Sequence, residues 1–449
     1  AICRMDGDAF EMEDQRNWTD ASYKTYVRPL ALPWPYSLPD GEPMRQTISV
    51  RFEGVPTHVT VANDDAIRVS LGEPSGRMPT FGLLVSPEEA RNVLEQIDAL
   101  RVIAPGHLIF HYSPLQGHGL DALRSFSNVL DAFAAEATLE FVLPCVDTPE
   151  AELQAVARDV SAAGLNLSSI AVSPAPDLKS TPPGSRWPEC PALDRIYRAA
   201  RAAFPGKTLG GGMFSYFTEL NRKRVPADLL DYITHTTSPL VHAADDRSVM
   251  ESLEALPFVT RSARAIFGDK EYRIGPSSIG MRHNPYGARL ADNVVGNRVT
   301  MTADDPRQKG LFAAAWMVGY AAAVSDAGLT HLSLGALTGS SGVIGEEGMR
   351  PAFFAAKALA SLQGKNLRVA TTDRPATLLA LAADDRLMVA NLSSETIEVL
   401  LPEFREAEVL DEREAVDAVA SGVLPVLPAG NRMSLGAYGI AIVTMAESG

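Results

Sequence analysis

Between residues 79 and 365 the chain repeatedly sets a short apolar run ahead of a helix-like stripe, and this alternation restricts the fold more than any other feature. PTFGLLVS (79–86) precedes PEEARNVLEQIDALR, with proline and two acids in the first turn, where helix N-termini favour them. GHLIFHYSP (106–114) precedes LDALRSFSNVLDAFAAE, and TLEFVLPCVD (138–147) precedes PEAELQAVARDVSAAG. LSSIAVSPAP (167–176) leads through a long polar loop into CPALDRIYRAARAAFPG. The second half is less regular. TLGGGMFSYF (208–217), LLDYITHTTSPLVHA (229–243), EYRIGPSSIGM (271–281) and LTHLSLGAL (329–337) read as buried strands, and helices around 246–267, 305–325 and 348–364 follow the last three. About eight such units in nearly 290 residues predict an α/β fold, a (β/α)8 TIM barrel.

A doubly wound sheet is the structural alternative. It would normally show a glycine-rich phosphate turn after an early strand, and the turn after 79–86 has none. The glycines of TLGGGMF suit close packing or a bulge instead. After about 365 the pattern changes to LRVATTD, TLLALAAD, RLMVANL, TIEVLLP and YGIAIVTMA, short strands between polar turns, which predict a C-terminal antiparallel β-domain. MRQTISVRFEG and VTVAND read as strands ahead of the barrel. The expected division is 1–62, the closing part of an N-terminal β-domain plus a connection; 63–365, the barrel; and 366–449, a β-sandwich-like domain. The opening AICRMDGDAFEMEDQ has neither a start methionine nor a basic-then-apolar signal, so part of a natural N-terminus is expected to be missing.

Charge narrows the function classes. A formal net charge of −15 argues against a phosphate-backbone partner, and no run approaches the roughly 18 consecutive apolar residues that span a bilayer. Neither nucleic acid nor membrane is expected, and a neutral small molecule fits better. Cys3, Cys145 and Cys190 are widely spaced without paired metal-ligand spacing, which suggests a reducing, cytoplasmic setting.

In a barrel the chemistry sits where strands run into loops. Strand two ends with His111 and Tyr112, and strand five with Ser215, Tyr216, Glu219 and Asn221. The sixth unit carries His235, Thr236, His242, Asp245 and Asp246, and the seventh continues into Arg282, His283 and Asn284. Two histidines with a carboxylate close behind suit acid–base work near neutral pH, although each could equally be a satisfied structural residue. Glu219 follows an aromatic pair that would raise its pKa by partial burial, or it is a helix-start carboxylate with Thr218 as N-cap. HExxH and GxSxG are both absent, so no metal, no cofactor and no serine elbow is expected. Sugar-cleaving barrels need two carboxylates, yet IAVSPAPDLK lacks the asparagine–glutamate pair common after strand four and IGPSSIGM ends without a glutamate.

FEMEDQRNWTDASYKTYVRPLALPWPY (10–36), TSPLVHAADD (237–246) and RHNPYG (282–287) resemble the D-apionate lactonase family, over the whole chain. The resemblance implies hydrolysis of D-apionolactone to D-apionate in the barrel, with a small sugar lactone as substrate. It carries over no catalytic residue, so roles rest on the strand ends. Glu219 or the His242–Asp245 pair is expected to activate water, with His235 or Arg282 at the oxyanion. His111, Tyr216, Asn221 and Asn284 are expected to hold substrate. Asp14, Arg16 and Asn17 join them if the segment MEDQRNWTDASYKTY reaches the mouth; otherwise it locks the N-terminal domain onto the barrel. The rivals are a glycoside hydrolase and a non-catalytic carbohydrate-binding protein with aromatic platforms such as Trp187 and Tyr216.

Overall fold

The computed structural model describes residues 1–14, 25–29, 32–33, 35–38, 40–54, 65–181 and 185–446. Among these, eight parallel strands close into a barrel: β1 Thr80–Val85, β2 His107–Tyr112, β3 Glu136–Leu143, β4 Ser169–Pro174, β5 Thr208–Met213, β6 Tyr232–His235, β7 Glu271–Ser277 and β8 His331–Ala336. Closure comes from β8 lying beside β1, with Leu332 opposite Phe81. The apolar runs are continuous because such strands are covered on both faces. Period-two alternation then divides each run: in β6, Tyr232 and Thr234 border a small cavity inside the barrel, while Ile233 packs into the main core with the helices.

The glycines of β5 make room for aromatic rings. A Cβ on Gly210 would lie 2.0 Å from Cζ of Tyr232, and one on Gly211 would lie 2.5 Å from the Tyr197 hydroxyl. Gly210→Ala is therefore expected to lower stability by about 1–3 kcal/mol, the usual cost of overpacking a filled core. Urea unfolding measures it, and an unchanged midpoint would remove this account of the glycines.

Helices Leu311–Ala323 and Pro351–Leu362 have almost no polar face, and both are buried nearly throughout. A helix apolar all round needs cover on every side. Here the second cover comes from the C-terminal domain, whose strands Leu378–Ala383 and Arg386–Asn391 pack on Leu311–Ala323.

That domain is a seven-stranded sheet, in the order Val426–Leu435, Ile397–Leu410, Ile440–Met445, Arg386–Asn391, Leu378–Ala383, Asn366–Thr372, Ile67–Arg77. Ile67–Arg77 also runs parallel to Ile397–Leu410, with Ile67 beside Val399, so the sheet folds over its own core. The expected barrel bounds, 63–365, include this segment, whereas the structure pairs it into the C-terminal sheet. Its alternation explains the difference: Ile67 and Val69 are buried while Arg68 and Ser70 are exposed, the pattern of a strand with one covered face.

At the N-terminus Ile2–Asp6 pairs antiparallel with Thr47–Arg51, and Glu11–Met12 with Thr25–Tyr26. VTVAND (59–64) lies outside the described residues. No helix among the described residues is long and apolar enough to cross a membrane.

Candidate active site

Adjacent parallel strands place His111 of β2 directly beside Glu140 of β3. The His111 Nδ1 lies 2.7 Å from Glu140 Oε1, and the two residues are only 7% and 3% exposed. Arg282, from the loop after β7, reaches across the mouth. Its Nη1 donates to Glu140 Oε2 at 3.3 Å, and its Nη2 donates to Oε1. Burial alone would push the Glu140 carboxyl up, but Arg282 and His111 together hold it down at about 2, so it is ionised at neutral pH.

This ion pair sets the tautomer of His111. Arg282 Nη2 is also 3.3 Å from Nδ1, but the carboxylate is closer and carries full charge, so Nδ1 holds the proton and donates to Glu140. The Nε2 lone pair is left over. Among the described residues it has no hydrogen-bond partner, and the ring borders a cleft of ≈ 240 Å³ shared with Ser86, Glu89, Ser278, Arg282 and Thr338. The lining comes from the loop ends of β1, β2, β7 and β8, the face where barrel enzymes do their chemistry.

Two more histidines shape this wall. His118 accepts from the Ser113 backbone N–H at Nδ1 (3.0 Å) and meets Glu88 at Nε2 (2.9 Å), fixing the chain just after β2. Burial, followed by the Arg282 charge, pushes His283 well below the ordinary imidazole range, so it stays neutral. Its Nε2 finds no partner among the described residues, and its ring lies 5.7 Å from that of His111.

The residues expected to be catalytic are placed elsewhere. His235 points into the helix layer, between Phe217 and Tyr272; Nδ1 donates to the Thr236 carbonyl at 3.0 Å and Nε2 accepts from the Tyr272 hydroxyl at 2.6 Å. Burial takes its pKa down to about 4. A neutral imidazole with both nitrogens engaged in the packing is structural.

Asp245 is exposed and caps helix Asp246–Glu251, accepting from the Ser248 N–H at 2.9 Å. His242 is exposed and does not border the His111 cleft. Glu219 is fully buried at the start of helix Phe217–Arg222, where Oε2 accepts from Thr181 N–H (3.4 Å) and Oε1 faces Arg222 (3.5 Å). Burial raises its pKa, yet it lies outside the cleft, on the β5 side. Half-buried Asn221 sits on the same short helix.

Of the expected substrate contacts, His111 and Arg282 meet at the cleft. Tyr216 donates instead to the His283 carbonyl at 3.0 Å, and the Asn284 side chain accepts from Tyr286 and Gly287 N–H (2.9 and 2.8 Å), so both shape the loop that presents Arg282. Asp14 borders a groove against the outer helix Leu256–Phe267, away from the mouth. Arg16 and Asn17 lie outside the described residues. Glu140 was the residue missed. Its signal is a carboxylate inside the mostly apolar TLEFVL, at an inward position where an acid must be paired. Among the described residues no three His, Cys, Asp or Glu side chains gather as metal ligands.

A closed eight-stranded barrel, an appended β-domain and a carboxylate–imidazole pair opening on a cleft define a TIM-barrel protein with acid–base groups at the barrel mouth. The chain belongs to the D-apionate lactonase family: the family's TIM barrel domain matches residues 81–364, its N-terminal domain 1–55 and its C-terminal immunoglobulin-like domain 375–443. A D-apionate lactonase from Brucella anthropi is 48% identical over 413 residues, covering 90% of this chain and 68% of that one. The chain is accordingly a lactone-hydrolysing enzyme, a carboxylic-ester hydrolase. Among solved structures, a GH30 endoxylanase from Clostridium papyrosolvens superposes with a TM-score of 0.51 at 10% identity, over 85% of this chain and 100% of that one. The Xyn30A xylanase from Clostridium acetobutylicum does so at 0.51 and 10%, over 86% and 100%. These two likenesses concern the fold alone.

Proposed function

We propose that the enzyme hydrolyses D-apionolactone to D-apionate with the His111–Glu140 pair as its general base. The observation that carries this reading is the open Nε2 of His111 beside the cleft, backed by an ionised, buried carboxylate on Nδ1. A water between Nε2 and the lactone carbonyl gives its proton to His111 as its oxygen attacks the carbonyl carbon. Glu140 stabilises the imidazolium that results. The Arg282 guanidinium has N–H donors beyond those on Glu140, and these face the oxyanion. Collapse breaks the ring C–O bond, and the His111 proton passes to the departing alkoxide. The product is a hydroxylated carboxylate. A glycosidase reading has less support, because the buried carboxylates after β4 and β5, Asp177 and Glu219, face Lys223 and Arg222 and do not border the cleft.

A pH-indicator assay on a panel of aldonolactones, run beside aryl apiosides and xylosides, tests the proposal. Proton release is expected with lactones only, fastest with the branched five-membered ring of apionolactone. Glycoside cleavage with every lactone left intact would overturn it, and a faster six-membered ring would remove apionolactone as the substrate.

A further inference from the structure

A cavity of ≈ 310 Å³ lies at the seam between the barrel and the C-terminal sheet, and no step of lactone hydrolysis uses it. Phe354, Lys357 and Ser361 of helix Pro351–Leu362 form one wall, and Arg386 and Glu408 of the C-terminal strands face them. Lys357 makes no hydrogen bond or ion pair among the described residues. Arg386 gives Nη1 to the Thr444 hydroxyl, while its Nη2 stands 3.9 Å from Glu408, too far for a hydrogen bond. Two cations therefore open on one cavity with donors to spare, in a chain whose net charge is −15.

The other lining groups narrow what these cations recognise. Phe354 and Ile442 make an apolar back wall, where a charge is less screened than in open water. The Ser361 hydroxyl donates to the Ala358 carbonyl at 2.7 Å, which leaves its oxygen free to accept, and Glu408 is acceptor-only when ionised. Cations for a carboxylate and acceptors for hydroxyl groups thus face one another across the seam.

We propose that the seam binds a small polyhydroxy carboxylate through Lys357 and Arg386. That this is also the class of the enzyme's own product rests on the proposed lactonase reaction; the recognition itself does not. An occupant touches a helix that begins immediately after Arg350, whose guanidinium donates to the Gly342 carbonyl at 3.0 Å and so holds the β8 loop beside the catalytic cleft. The site is placed for product to be sensed away from the reacting centre.

Calorimetric titration of D-gluconate, a polyhydroxy carboxylate with no lactone ring, tests this on the full chain. One saturable site is expected in the wild type and in His111→Ala, weakened about tenfold or more in Lys357→Ala, the scale of one charge-assisted hydrogen bond. Lys357 is exposed, so its alanine variant leaves the fold intact. Absence of saturable binding would overturn the site, as would binding lost in His111→Ala and kept in Lys357→Ala, which would place gluconate in the catalytic cleft. Acetate or inorganic phosphate binding as tightly as gluconate would overturn the hydroxy-acid class. Failure of the lactonase reading shows separately, as no turnover in the lactone panel with gluconate binding intact.

Discussion

His111→Ala lowers kcat/KM for lactone hydrolysis by about 10²- to 10⁴-fold, the range lost when a positioned general base is removed. The imidazole is the group at this wall of the cleft that combines an open nitrogen with a buried anion behind it. Glu140→Gln tests the second half of that statement. The amide keeps the volume of the carboxyl but can donate to Nδ1, which moves the imidazole proton to Nε2 and blocks the lone pair that takes water's proton. A comparable fall in kcat with little change in KM is expected, because Glu140 acts through His111. The pH-indicator assay measures both variants, and circular dichroism confirms their fold. Full activity in His111→Ala together with loss in Glu219→Gln would move the base to the β5 loop.

The barrel was readable because each strand–helix unit writes its own pattern locally, down to the proline and acids that open the first helix. Ile67–Arg77 was not, since its partner strands lie some three hundred residues further along and its alternation says only that one face is covered. The site divides in the same way. Strand ends point to His111 and Arg282, but a strand end does not reveal which of two alternate residues looks inward. His111 and His235 each lie at the end of a strand, next to last in β2 and last in β6; His111 faces the cleft, and His235 faces Phe217 and Tyr272. That parity depends on the glycine at 210, which lets Tyr232 occupy the barrel interior and so turns His235 outward. Asp245 shows how two functions share one residue type: an aspartate three residues before a helical N–H is also what a helix start requires. Glu140 is not legible at a strand end because it lies in the middle of β3, where register with β2, rather than anything local, supplies its partner.

Arg282→Met is expected to destabilise the protein by about 3–5 kcal/mol at neutral pH, since it leaves a buried carboxylate without its cation. The pH dependence identifies the cause. In the native protein Glu140 titrates at about 2, below its ordinary value of 4.5, so its contribution is fully present above the unfolded pKa and is lost as pH falls through about 2. Without the guanidinium, burial, the largest influence on this group, is opposed by His111 alone, and the carboxyl moves up from about 2. The folded-state pKa then lies above that of the native protein, so ionised Glu140 supports the fold less at neutral pH, and protonation removes the difference. Urea midpoints taken from about pH 8 down to about pH 2 should show the deficit of the variant shrinking as pH falls. A deficit constant over that range would mean that Arg282 acts through packing. Adding Glu140→Gln to Arg282→Met removes the unpaired charge and should restore most of the lost stability, because an amide in that place needs no cation. It should not restore activity, since the double variant still lacks the oxyanion donor and the anion behind His111. Stability regained without turnover would separate the two duties of Arg282, neutralising Glu140 in the resting protein and meeting the substrate oxygen during the reaction.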